Sequence, residues 1–496
     1  MIRIMKRIRH ILLICSVILT SSCSLDLNPE SSWSDRTYYQ TEEQLWAVLR
    51  GGYARLQGAL GGGFVVYGDA RSDLFICHNT SKVDMDNIVN NAITAYNSYA
   101  NWTPFYQTVQ QANLALLHAP RLLESGVISK ESADQIMGEA YAMRAFTYFW
   151  IVRIWGAAPL MLKPSVGAEY DPTMKRSDES LVREQIHSDL NEAKKLLTDT
   201  GKREYFTLTA VWAIEAQLCA WENNWDGVME ANTHILKRKG TQLMNTSYSL
   251  AELYVPEYEA TYEMDSDFYR HIAVCDYVKI FNEGNSSESI FELSYSIDDN
   301  STSNALYGLV GQSESLRPTP YKPFFNAVKE KDWRFYVNFY GNSPRWTKYF
   351  INYDGLTQAR NVVLLRLADF ILLEAEALVH MMENGGGSLG KQDCLNTAVA
   401  LVNMIRERAG GSGNTVNAAD YDITDPDSLY ALIANERIYE LFGEGYRYFD
   451  LVRTDKLIAT MATINGQTDI ESAVWPIYYT EIIYSKGSIE QNPYYK

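Results

Sequence analysis

The sequence is poor in the residues that ready-made chemistry requires. Its 496 residues include six cysteines and seven histidines. The cysteines show no CxxC spacing and the histidines no HExxH, so the common zinc arrangements are excluded. There is no GxSxG elbow, and no cysteine has a nearby histidine except Cys77-His78. Adjacent residues point in different directions in either regular structure, so that pair means little. The glycine runs GALGGGF and ENGGGSLG lack the lysine of a phosphate loop and follow helical patterns, so they read as turns. No cofactor motif is present. Basic charge is short as well: 44 Lys and Arg face 61 Asp and Glu, a net charge of −17. Nucleic acid, whose phosphates need a basic footprint, is thereby excluded as a partner.

Long apolar runs are missing beyond the N-terminus, where the exception is informative. Arg3, Lys6, Arg7 and Arg9 precede the apolar stretch ILLICSVILT, and small residues then run into Cys23. A basic region, a short apolar region and small residues at a cleavage point describe a secretory signal. The stretch falls short of the ~20 apolar residues a spanning helix needs. The run LTSSC resembles a bacterial lipobox, in which the cysteine becomes the acylated N-terminus. Loss of residues 1–22 would remove four basic and no acidic residues and carry the net charge to −21. Such a chain is not drawn to an anionic membrane, so attachment would rest on the lipid at Cys23 alone. Cys77, Cys219, Cys275 and Cys394 remain, and spacing alone does not choose a disulfide among them.

What is abundant is helix with aromatic punctuation. Thr41 and Gln44 form a capping box ahead of a stripe of Leu45, Val48, Leu49, Tyr53 and Leu56. A glycine loop and a polar stretch to about Asn101 follow, then a helix with Pro104 in its first turn. ADQIMGEAYAMRAFTYFWIVRIWG alternates small and bulky residues, as closely approaching helices do, and stops at Gly156 and Pro159. A helix–turn–helix surrounds Glu222–Asp226. Two more pairs start at VLLRLADFILLEAEALVHM and at SLYALIANERIYELF. Pairs of this length with alanine-rich inner faces resemble tetratricopeptide repeats. Residues 240–360 are rich in Tyr, Asn and Ser, with short alternating runs such as SIFELSYSI and FYVNFY. They read as loops, short helices and minor strands.

ERIYELFGEGYRYFDLVR, Glu436–Arg453, packs four carboxylates and three arginines into eighteen residues, interleaved with aromatics and two glycines. A glycoside hydrolase would use two carboxylates about 5–10 Å apart. Glu436/Glu440, Glu440/Glu444, Asp69/Asp73 and Asp84/Asp86 are the candidate pairs. A general acid needs a raised pKa, and arginine neighbours lower it. The stretch therefore reads as a joint: a helix to Phe442, a break at Gly443 and Gly445, and a short helix to Arg453. Arg437, Arg447 and Arg453 are expected to pair with Glu440, Glu444 and Asp450. Asp84–Asn87 and Asp298–Asn300 carry hard oxygen ligands of the kind calcium takes, but read as solvated acidic loops.

In order and spacing, the motifs resemble the SusD/RagB family of outer-membrane nutrient-binding lipoproteins of Bacteroidetes, nearly end to end. The likeness rests on the lipobox with CSLDLNPES, the first helix ending GGY, WTPFY with Ala112-Asn113, EAYAMRAFTYFWIVRIWGAAPL and AVWAIEAQLCAW. It continues through Asp332-Trp-Arg with Lys348-Tyr349, LLRLADFILLEAEAL, NMIRERAG, ERIYELFGEGYRYFDLVR and the closing PIYYTEI…QNPYYK. Ala157-Ala158, Tyr478 and Tyr494 depart from the usual pattern. The resemblance implies a mostly α fold of about four tetratricopeptide-like pairs with a large irregular insertion and minor strands. It also implies a surface-exposed outer-membrane lipoprotein that captures an oligosaccharide, or a peptide in some members. The ligand would pass to a SusC-like TonB-dependent transporter, with binding rather than turnover as the activity.

The expected layout is residues 1–22 as signal, 23–40 as tether and 41–496 as one domain. Within that domain, 41–239 and 361–496 are helical, and 240–360 carries much of the ligand face. Sugar binding calls for exposed aromatic faces flanked by hydrogen-bonding side chains. The loops offer Tyr67, Asp69, Arg71, Asn79, Tyr96 and Tyr99, and further on Tyr295, Tyr307, Arg317 and Tyr321. Trp102, Trp150, Trp212 and Trp221 lie in helical patterns and are expected to pack. An oligopeptide receptor, a glycoside hydrolase and a ligand-free interaction scaffold are the alternatives.

Overall fold

The computed structural model describes residues 38–165, 173–236, 275–295, 306, 308–309, 315–318, 322–328, 330–339, 346–349 and 360–496. Eight helices build the frame. They are α1 (Glu42–Leu60), α2 (Thr103–Glu124), α3 (Lys130–Trp155), α4 (Glu179–Leu196), α5 (Leu208–Trp221), α6 (Trp225–Leu236), α7 (Leu367–Glu383) and α8 (Lys391–Gly410). They pack as α1 with α2, α3 with α4, α5 with α6 and α7 with α8, and the pairs stack through α2–α3 and α6–α7. The fold is mostly α, on a scaffold of tetratricopeptide-like helix pairs. Among the described residues, no helix is long and apolar enough to cross a membrane.

The helix ends follow local chemistry. Thr41 and Gln44 close the capping box on α1, and Leu45, Val48, Leu49, Tyr53 and Leu56 are all buried. Ser129 and Thr207 cap α3 and α5, and Gly156 ends α3 at φ +71°. Helix α4 carries few apolar residues, yet Val182, Ile186, Leu190 and Ala193 recur along one face and bury it against α3.

Three segments depart from the sequence reading. VLLR is not the start of a helix but strand β4 (Val362–Arg366), antiparallel to β2 (Ser289–Leu293). Both strands are fully buried, and the ladder satisfies backbone groups that a coil would leave unpaired. FYVNFY is not a strand: Arg334–Asn338 is a helical turn held at its start by the Asp332 carboxylate, which accepts from the Arg334 N–H. The stretch after Gly61 is not an exposed polar loop. Gly63–Val65 and a π-helical turn at Val66–Ala70 bury Phe64, Val65, Val66 and Tyr67. A second small sheet pairs β1 (Ile76–Cys77) with β3 (Leu316–Arg317).

The charge-rich joint runs through α9 (Pro426–Leu441), Gly443 and Gly445 at φ +75° and +85°, and α10 (Arg447–Arg453). Its partners are mostly remote, which corrects the expected pairing within the stretch. Glu440 accepts from Arg334, Arg366 and Arg408, and Glu444 from Arg366 and Lys348. Glu436 takes Arg334 at 2.7 Å and Arg406 at 3.1 Å. Arg447 grips Asp73 at 2.8 Å, across 374 residues of chain. Only Asp450 pairs inside the stretch, with Arg437 and Arg453, and these two also hold Asp369 and Glu376. The cluster ties the last helices to the middle segments and to the loop after α1. Side chains here are buried, so removal of one partner would leave an uncompensated charge at ~3–5 kcal/mol.

Candidate ligand-binding face

The candidates divide sharply by burial. Tyr67, Asp69 and Arg71 are inside the core and offer no face to a ligand, contrary to expectation. The Tyr67 ring packs on Phe105, Trp155 and Trp475 and its hydroxyl donates to the Tyr99 carbonyl. Asp69 accepts the Gly445 and Arg447 N–H groups at 2.6 and 3.1 Å, so it belongs to the joint. Arg71 donates to the Ala473 carbonyl and Asn91, with Tyr448 under its guanidinium. Tyr295 is half-buried, its hydroxyl on the Gln57 carbonyl at the end of α1. Tyr307, Tyr321 and the anchor candidate Cys23 lie outside the described residues, as does Asp298–Asn300.

The remaining four come from one segment and its partner strand. β1 opposes β3 with Ile76 facing Arg317, and the His78 N–H continues the ladder to the Ser315 carbonyl. Asn79 stands just beyond, its side-chain oxygen accepting from Ser81. Tyr96 and Tyr99 lie farther along the same segment. The backbone between is pinned: Ser98 donates twice to the Asp84 carboxylate, and Asn97 donates to the Asp84 carbonyl. Asp84–Asn87 accordingly begins a short helix, Val83–Val89, with Asp84 engaged by Ser98 and Asp86 by Asn90. Among the described residues no cluster of His, Cys, Asp and Glu has the makings of a metal site.

Tyr96 is the most exposed of the candidates, at 73%. Its ring lies 4.9 Å from that of Tyr479, tilted by 35°, and Tyr478 meets Tyr479 edge-on at 4.9 Å. The Tyr479 N–H donates to the Ala95 carbonyl at 3.0 Å, which locks the C-terminal segment against the loop. Thr103 at the start of α2 donates to Glu481, one turn on. Loss of solvent, then the Asp84 carboxylate, raises the Tyr99 hydroxyl above its ordinary pKa, and Tyr478 is also raised. Both phenols stay neutral donors at ordinary pH. A groove of about 400 Å³ is lined by Thr103 and Glu481, with Trp102, Tyr106, Met161 and Ile489 in its wall. Exposed tilted rings, neutral hydroxyls and carboxylates at the rim suit a flat polyhydroxylated ligand. The sequence reading did not include Tyr478 and Tyr479 among its candidates; of the adjacent tyrosines in PIYYTEI, Tyr478 stood out there only as a departure from pattern.

The carboxylate pairs weighed for hydrolysis all have donors from the protein. Burial pushes Glu440 up, but Arg408, Arg366 and Arg334 overcome it and hold the carboxyl well below the usual range. At Glu436 burial wins over its arginines and the pKa is raised, which corrects the expectation that arginines lower it. Its side chain is wholly inaccessible to a substrate. Trp102 and Trp150 are buried, and Trp212 and Trp221 partly so. Cys77, Cys219, Cys275 and Cys394 are all free thiols.

Stacked helix pairs that present aromatic residues on loops define a binding scaffold. Comparison with known proteins supplies the family. Residues 24–220 match the family model described as starch-binding and associating with the outer membrane, and residues 327–495 match that of the SusD family. SusD-like protein P38 of Formosa agariphila is 29% identical over 537 residues, covering 99% of this chain and 100% of the relative. A SusD superfamily protein of Bacteroides thetaiotaomicron superposes with a TM-score of 0.69 at 23% identity, over 92% of this chain and 99% of that one. A laminarin-binding SusD-like protein superposes at 0.68 and 21% identity, over 92% and 100%. The chain belongs to the SusD/RagB family, whose members are nutrient-binding proteins.

Proposed function

We propose that the protein captures an oligosaccharide on the face formed by Tyr96, Tyr99, Tyr478 and Tyr479, and that it binds without cleaving. The observation that carries this is the exposed Tyr96–Tyr479 pair at 4.9 Å, held by backbone bonds rather than by the rings themselves. Asn79 and Arg317 at the β1–β3 edge are proposed as an extension of the same ligand face. The laminarin-binding neighbour supports the reading and makes laminarin the first glycan to try. Acylation at Cys23 would hold the protein on the outer membrane, exposed at the cell surface, where it would pass its ligand to a SusC-like TonB-dependent transporter.

The test is a soluble chain of residues 24–496 run through gels containing laminarin and a panel of other glycans. Retarded migration with no reducing ends released is the expected result. Release of reducing ends overturns the binding-only reading, and no retardation on any glycan overturns the glycan reading. A Cys23→Ala variant of the full chain that still partitions with membranes would remove the lipid anchor from the proposal.

A further inference from the structure

Arg153, near the end of α3, is a buried cation with no ion pair among the described residues; Asp369 and Asp450 act on it only through space. Its side chain sits at 8% residue exposure, with the guanidinium carbon 4.1 Å from the ring centre of Phe149 and 4.4 Å from those of Trp150 and Phe449. Aromatic faces offset part of the cost of desolvating a cation. They satisfy few of its five N–H donors, and the Nε has no hydrogen-bond partner. Neighbouring arginines are treated differently. Arg437 has Asp369 and Asp450, Arg453 has Glu376 and Asp450, and Arg144 has Asp189. Arg153 has no ion pair or hydrogen bond among the described residues, and burial pulls its pKa down to about 9.

Arg153 lines a cavity of about 480 Å³ between the ends of α3, α5 and α10 and the start of α4. Trp221 and Asn223 line it after α5, and Asp455 lines it from beyond α10. Glu179 and Glu222 also line it, but both are bound to Arg183, and Glu222 additionally to His187. Arg453 is held by Glu376 and Asp450 and Arg183 by Glu179 and Glu222, so among the described lining residues Arg153 is the cation with no ion pair. A planar fork of N–H groups in a partly desolvated site matches a carboxylate, which can accept two parallel bonds from it. The acidic side chains around the rim disfavour a densely charged anion such as a phosphate dianion.

We propose that this cavity is a second ligand site, taking a singly charged carboxylate on Arg153 with Trp221 and Asn223 flanking it. It shares no residue with the Tyr96–Tyr479 face and does not depend on the reading of that face. A free small carboxylate and the carboxylate of a sugar acid present the same group, and the experiment separates them.

Residues 24–496 are titrated by calorimetry with acetate, glucuronate and glucose. Binding of glucuronate alone assigns the site to a sugar acid, and binding of both carboxylates assigns it to the carboxylate group itself. Heat from neither carboxylate, or carboxylate binding that glucose competes away, overturns the proposal. Arg153→Met keeps the packed stem and removes the charge; it is expected to weaken carboxylate binding at least tenfold, and unchanged affinity refutes the assignment. Should that variant not fold, Asp455→Asn decides. Loss of the like charge from the cavity lining is expected to tighten binding several-fold, and unchanged or weaker binding overturns the site. Tyr96→Ala is expected to leave carboxylate affinity at the wild-type value, and a loss there would show that the carboxylate sits on the tyrosine face instead.

Discussion

The joint at Glu436–Arg453 and the tyrosine face near Tyr96 are opposites in chemistry and in exposure. The joint packs seven charges into eighteen residues and turns most of them inward, where Glu440 meets Arg334 and Arg366 with all three entirely buried. The face presents uncharged rings outward, on a backbone fastened by Asp84 and Ala95. A charge is expensive to bury and is kept there only when several partners converge on it. A ring with a hydroxyl loses little by standing in water and gains on contact with an apolar or polyhydroxylated surface. Charge density therefore marks what holds the molecule together, and the exposed tyrosines mark where it meets something else.

That contrast is breakable in four ways. Glu440→Ala strips three buried arginines of their shared carboxylate and is expected to cost ~3–5 kcal/mol in denaturant unfolding; wild-type stability would show the network to be dispensable. Arg447→Ala removes the link to Asp73, where the arginine is 15% exposed, so a smaller loss of stability is expected on the same measurement. A variant with wild-type melting but lost glycan binding would move Arg447 from the joint to the site. Tyr96→Ala is expected to leave melting unchanged and to weaken glycan binding by about 2 kcal/mol, roughly thirtyfold, as for truncation of an aromatic anchor. Equal loss of stability would make that ring structural.

The smallest effect belongs to His187, which lies between the two extremes, half-buried and bound by Glu215 at 3.0 Å and Glu222 at 2.9 Å. These two hydrogen-bonded carboxylates raise its pKa from 6.5 to about 9. The raised folded value means the protonated ring stabilises the fold fully below pH 6.5, and that contribution fades as pH rises through about 9. A His187→Gln variant is expected to lose this slope between those limits, as read from unfolding at a series of pH values. An unchanged slope would show that the pair does not hold a proton.

Much of the frame was legible because it is local. The capping box at Thr41, the stripe from Leu45 to Leu56 and the stop at Gly156 each act within a few residues. Helix α4 escaped because only Val182, Ile186, Leu190 and Ala193 mark its buried face, and most of its remaining positions are polar or charged. VLLR escaped because an apolar run carries no period of its own, and a strand was selected only when β2 arrived from 70 residues upstream in sequence to accept it. Tyr67, Asp69 and Arg71 sit in a stretch whose composition resembles a surface loop, yet they are drawn into the core by Trp475, Gly445 and Ala473.

By itself the sequence determined the pairs α5–α6 and α7–α8, the cap of α1, the stop at Gly156 and the family the chain belongs to. These depend on spacing along the chain, which is what a sequence records. The tertiary structure alone decided the partners of the charges and the composition of the ligand face. Arg447 meets Asp73 and Tyr96 meets Tyr479 across nearly the whole chain. The pairing energies act through space between groups that no local pattern connects.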